Sequence, residues 1–188
     1  MENQAFALIA SFIAMVSVVM AYFVKNKAYY LLYQLLCVLF LVVSYFFTVQ
    51  FFAMIGVSIG LFRTLTFFLY EKKEKRAPIW LSFFFSALTI LSYYIVNYKI
   101  LKTAQPLDVL FLLGLIMYAF IFRIRNLKIV RFTMLIPTAL SVLFNLLTSA
   151  AIFATLSYFF ELCANVVSIF KYYVFNKKEK PKETERNS

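Results

Sequence analysis

Two ionisable residues stand inside apolar runs, Arg63 within residues 51–70 and Glu161 within residues 151–174. A charge at the centre of a bilayer costs roughly 2.5 to 3.5 kcal/mol even on insertion scales, so each needs a partner or a wet cavity. The two runs answer each other at an offset of about 101 residues: Ala53 to Ala154, Gly56 to Ser157, Gly60 to Glu161, and Arg63 close to Asn165. Ser44 and Asn145 stand at the same offset in the runs before them. Ser44, Arg63, Asn145, Glu161 and Asn165 are therefore the polar residues that the two halves place within their apolar runs. An arginine can meet an anionic or strongly hydrogen-bonding group, and a buried carboxyl can pair with it or carry a proton. The bland reading stands beside this one: Arg63 and Glu161 form an interhelical ion pair, and Asn145 an interhelical hydrogen bond worth roughly 0.6 kcal/mol.

Other chemistries lack equipment. The chain has no histidine, and its cysteines, Cys37 and Cys163, lie singly in apolar runs. Triad catalysis needs the absent imidazole, and zinc needs a ligand cluster. An enzyme, a metal site and a cofactor are not expected.

These residues must be positioned by a membrane fold. The 188 residues are 64% hydrophobic, 20% aromatic and 14% charged, with a mean hydropathy of +0.85. Soluble domains run near half apolar and a quarter charged. The net charge of +11 is gathered into short loops, which is the pattern of membrane orientation and not of a nucleic-acid surface.

Seven spans are expected, at about 4–24, 28–48, 51–70, 78–96, 107–122, 130–147 and 151–174. Each is close to the length a helix needs to cross the hydrocarbon core, the fifth being short. Lys25, Lys27, Lys72, Lys73, Lys75, Arg76, Arg123, Arg125, Lys128, Arg131 and the basic tail fall on one side, Lys99 and Lys102 on the other. The positive-inside rule puts the N-terminus outside and the C-terminus in the cytoplasm. Tyr29, Tyr30, Tyr70, Trp80, Tyr172 and Tyr173 would anchor the inner interface. Lys171 would snorkel there, Gly56 and Gly60 would pack closely against a neighbouring helix, and Pro137 would be a tolerated kink.

The first three spans are joined by K-N-K and then T-V-Q, the last three by R-N-L-K and then T-S-A. An odd helix between them gives both triplets the same orientation, as parallel repeats. The expected organisation is all-α and polytopic: a first repeat (1–76), a linker helix and loop (77–106), a second repeat (107–175) and a disordered basic tail (176–188).

This three-plus-one-plus-three plan resembles the SWEET and PQ-loop superfamily of small transporters, and within it the YgjV-type bacterial inner-membrane proteins. The likeness runs through Gly60-Leu-Phe-Arg63-Thr-Leu-Thr and Asn165-Val-Val-Ser168-Ile-Phe-Lys171. It implies a bacterial inner membrane and a central substrate cavity, whose candidate substrate-binding residues here would be Ser44, Arg63, Asn145, Glu161 and Asn165. Gly60 stands where that family has Asn, Ser168 and Lys171 depart from N-x-x-N-x-x-R, and no Pro-Gln signature is present, so the likeness carries the fold and not a sugar substrate. The expected function is a secondary transporter or facilitator of a small polar metabolite by alternating access. The other reading is a non-transporting scaffold, sensor or subunit. The expected partners are the lipid bilayer and a small polar solute, with a homodimer left open and no nucleic acid.

Overall fold

A computed structural model describes residues 2–48, 51–102, 105–148 and 152–175. The expectation of a disordered tail over 176–188 lies outside the described residues. Within them the chain is helical throughout: α1 Glu2–Phe23, α2 Lys27–Phe47, α3 Phe51–Lys72, α4 Ile79–Tyr93, α5 Asp108–Ile121, α6 Leu127–Thr148 and α7 Ile152–Ile169. π-Helical segments extend α4 through Tyr94–Ile100 and α7 through Phe170–Phe175. The seven helices coincide with the seven apolar runs to within a few residues. Five are long and apolar enough to cross a membrane: α1, α2, α3, α4 with its extension, and α6. α5 is apolar but has 14 residues.

The helices close into a ring. α1 packs on α2 and α7, α2 on α3, α3 on α4 and α5, α5 on α4 and α6, and α6 on α7. Large apolar side chains such as Phe6, Phe62, Phe83, Leu113, Leu146 and Phe159 point outward. Meanwhile Ser, Thr, Asn, Gln, Arg and Glu side chains are buried between helices. These polar groups lie among an apolar core that includes Tyr30, Phe111, Phe122 and Met134, and small and polar residues at helix contacts suit a lipid solvent.

Two turns are built alike. The Asn26 side chain accepts from the Ala28 N–H at 2.8 Å, and Asn126 from the Lys128 N–H at 2.9 Å. Each asparagine supplies an acceptor to an orphan donor at the start of a helix, α2 and α6 respectively. The end of α3 is closed differently. Lys75 N–H bonds to Tyr70 O and Glu74 N–H to Glu71 O, with Glu74 at φ 53°. This is a Schellman closure, usually made by glycine in the left-handed region.

The turns after α1, α3 and α5 gather with the end of α7 at one pole of the bundle. Lys27 Nζ pairs with Glu71 at 2.8 Å, the one ion pair found among the described residues. Arg123 Nε donates to Ala77 O at 3.0 Å, and Arg125 donates to Glu74 O. The Tyr172 hydroxyl reaches Phe23 O at 2.6 Å.

Three expectations are corrected here. Arg131 is not a loop charge, because α6 begins at Leu127 and carries it one turn inward, where it is 1% exposed. Tyr30 is not an interfacial anchor; it is fully buried, edge-on to Tyr22 and Phe122. The loop expected after the fourth span begins as the π-helical segment Tyr94–Ile100. Its Asn97 is buried and donates to Asp108 at 2.9 Å.

Candidate functional site

The centre of the bundle is assembled from stripes at helical spacing. α2 offers Gln34, Cys37, Val38 and Leu41; α3 offers Val57, Gly60 and Arg63; α5 offers Leu115, Tyr118 and Phe122; α7 offers Tyr158 and Glu161. Steps of three and four keep each set on one helix face. Together they line a cavity of about 30 Å³, room for a water molecule or two. Arg63 and Glu161, each 3% exposed, both line it.

The two charges meet neutral partners instead of each other. Glu161 Oε1 accepts from the Tyr22 hydroxyl at 2.9 Å and from Gln34 Nε2 at 3.1 Å. Arg63 Nη1 donates to the Leu115 carbonyl, and its guanidinium lies 5.5 Å from the Tyr118 ring centroid and 5.6 Å from that of Phe122. Desolvated cation–π contacts of this kind are worth about 2 kcal/mol. The buried Nε of Arg63 has no hydrogen-bond partner. The expectation of a direct Arg63–Glu161 pair is therefore corrected, since no ion pair joins them among the described residues. Helix spacing brought the side chains to one space, and their rotamers carried them to different partners.

Glycine makes the arginine's position accessible. A Cβ on Gly60 would lie 3.4 Å from Arg63 Nη2, and one on Gly56 would lie 2.9 Å from Leu115 Cδ1. The second contact is with the end of a leucine side chain, which packs directly over the bare backbone of Gly56.

The other candidate residues lie apart from this cavity. Ser44 Oγ is 2.7 Å from Ser11 Oγ, and Ser157 Oγ donates to Ser11 O at 3.2 Å, a hydroxyl ladder joining α2, α1 and α7. Asn145 Nδ2 donates to Ser141 O on its own helix at 2.7 Å, and Asn165 Nδ2 to Arg131 O at 2.8 Å. All three are buried and tie helix to helix or turn to turn. Cys37 lines the cavity as a free thiol, and Cys163 is a free, exposed one.

Gln34, Tyr22 and Tyr118 were not among the residues singled out from sequence. A signal existed for Gln34, the amide in the stripe Tyr30, Gln34, Cys37, Leu41 of an otherwise apolar helix. Arg131 is a further buried cation. Its Nη2 donates to Tyr22 O at 3.0 Å and Val24 O at 2.7 Å, its Nη1 to the Tyr173 hydroxyl at 3.2 Å, and its guanidinium lies 4.6 Å from the Tyr172 ring centroid. It closes the C-terminal end of α1, whose last carbonyls have no partner within the helix.

The family model for the bacterial inner membrane protein Imp-YgjV matches residues 5–176. No curated protein and no solved structure matches the chain. The chain belongs to that family, and with its apolar helices it is a multi-pass inner membrane protein.

Proposed function

For an inner membrane protein built around this centre, we propose a secondary transporter or facilitator that moves a small polar solute by alternating access. The observation that carries the reading is a shared cavity lined by Arg63 and Glu161, two buried charges that do not neutralise each other by contact. Charges placed so expensively, each short of an opposite charge, mark substrate or ion pathways in membrane proteins. The cavity lies between helices from both ends of the sequence, α2 and α3 on one side and α5 and α7 on the other. At about 30 Å³ it holds water and not a metabolite, so admitting a solute requires the helices to part.

The architecture proposed with this function is two parallel three-helix repeats, α1–α3 and α5–α7, joined by α4. The matched asparagine turns before α2 and α6 support it. The proposed orientation is N-terminus outside and C-terminus cytoplasmic, supported by the gathering of Lys25, Lys27, the 71–76 turn and the 123–128 turn at one pole.

The test is a thermal-shift screen of the purified protein against a metabolite panel at two pH values, followed by uptake into liposomes for each stabilising compound. Stabilisation and uptake that are both lost in Arg63→Gln support transport. A panel without any stabilising or transported solute refutes it and leaves a structural polar core.

A further inference from the structure

We propose that the solute is a small zwitterion of the amino-acid type, its carboxylate received by Arg63 and its ammonium by Glu161; this rests on the transport reading above. The argument starts from what each charged group has left to give. Arg63 spends Nη1 on the Leu115 carbonyl, while its Nε is buried beside the cavity without a partner. A guanidinium presents its donors as a planar fork that matches a carboxylate. On Glu161 both protein donors fall on Oε1, and among the described residues none is given to Oε2. That oxygen is available to an ammonium.

Charge arithmetic then selects between solute classes. The groups that share the cavity with this pair, Gln34, Tyr118 and Tyr158, are neutral amide and phenol side chains, as is Tyr22 on Glu161. A lone anion docked on Arg63 brings a second negative charge toward Glu161. A lone cation docked on Glu161 brings a second positive charge toward Arg63. In a medium of low dielectric such like-charge neighbours are strongly disfavoured. A zwitterion adds no net charge and answers both groups. The rest of the wall is apolar, with Val38, Leu41, Val57, Leu115, Phe122 and the thiol of Cys37, which suits an aliphatic side chain.

The experiment uses the purified full chain in lipid nanodiscs at pH 7, with glycine, L-alanine, acetate, methylammonium and glycerol as probes. Thermal midpoint and equilibrium binding are read for each. Glycine and alanine are expected to raise the midpoint and to bind, while acetate, methylammonium and glycerol at equal concentration do neither. Glu161→Gln keeps acceptors for Tyr22 and Gln34, so it is expected to fold and to lose about tenfold or more in glycine affinity, the loss of one charge-assisted bond. Arg63→Gln is expected to do the same, and Arg63→Lys, which keeps the charge without the fork, supplies the reading if the glutamine variant does not fold. Acetate binding as tightly as glycine, or glycine affinity unmoved by Glu161→Gln, overturns the zwitterion while leaving transport of another solute in place. Silence from every probe, with no uptake of any panel compound, overturns both.

Discussion

Arg131→Gln is the perturbation whose magnitude the structure fixes most closely. The native guanidinium donates to Tyr22 O and Val24 O, at 3.0 and 2.7 Å, and stacks 4.6 Å from the Tyr172 ring centroid. Hydrogen bonds to a charged group contribute about 1.5 to 3 kcal/mol each, and a desolvated cation–π contact about 2 kcal/mol. Against this gross sum stands the desolvation of a guanidinium that is 1% exposed, several kcal/mol by itself. Removing the charge recovers the desolvation but leaves two carbonyls at the end of α1 short of a donor, at about 1 to 3 kcal/mol each. The net expectation is a loss of about 3 kcal/mol, or roughly 6 to 12 °C of melting midpoint for a chain of this length. Arg131→Lys keeps the charge but cannot fork to both carbonyls, and should lose about half as much. The buried thiol of Cys37 provides the assay, because it reacts with a maleimide dye only when the bundle opens, once the exposed Cys163 is replaced by Ser. A glutamine variant melting within 2 °C of the parent (about 1 kcal/mol or less) would refute the reasoning. A lysine variant as stable as the parent would show that charge alone, and not the two-carbonyl fork, holds α1.

Gly56→Leu should destabilise by about 1 to 3 kcal/mol through overpacking against Leu115 and Phe111; a midpoint unchanged in the same thiol assay would mean that those two side chains make room for the new one. Glu74→Gly should stabilise by about 1 kcal/mol, because glycine occupies the left-handed φ of 53° without the Cβ penalty, and a lower midpoint would argue against the Schellman closure. In a chain with Cys37 and Cys163 replaced, single cysteines at Gln4 and Lys99 should be labelled from outside intact cells and one at Lys73 should not. Labelling of Lys73 would reverse the proposed orientation.

The helices were legible because lipid demands long apolar runs, and this chain punctuates them with basic turns. Arg63 and Glu161 were legible for the same reason: a charge in such a run is costly enough to stand out. Their partners were not. Tyr22 and Tyr118 are two tyrosines among 13, and nothing local marks the two that turn toward a distant carboxylate or guanidinium. The expected ion pair failed on side-chain direction, which helix spacing does not contain. Arg131 was misread because helix α6 starts three residues before its apolar run does. A shift that small converts a loop charge into a buried one. Ser44, Asn145 and Asn165 stood out as polar residues in apolar helices, but their partners, the hydroxyl of Ser11 and the carbonyls of Ser141 and Arg131, are announced by no sequence pattern.

The clamp on α1 also bears on how the chain is made. The first helix is finished by residues synthesised last: Arg131 reaches back across 107 and 109 positions, Glu161 across 139, and Tyr172 across 149. A nascent chain that has delivered only α1 to α5 to the bilayer has the carbonyl end of α1 and the Tyr22 hydroxyl without their eventual partners. Such contacts cannot form before the late helices arrive, and the closure entropy of long loops is spent before they do. The ring must therefore close as a late, cooperative event in biogenesis. A ribosome stalled before Arg131 would leave a half-built bundle with the last carbonyls of α1 short of their donor.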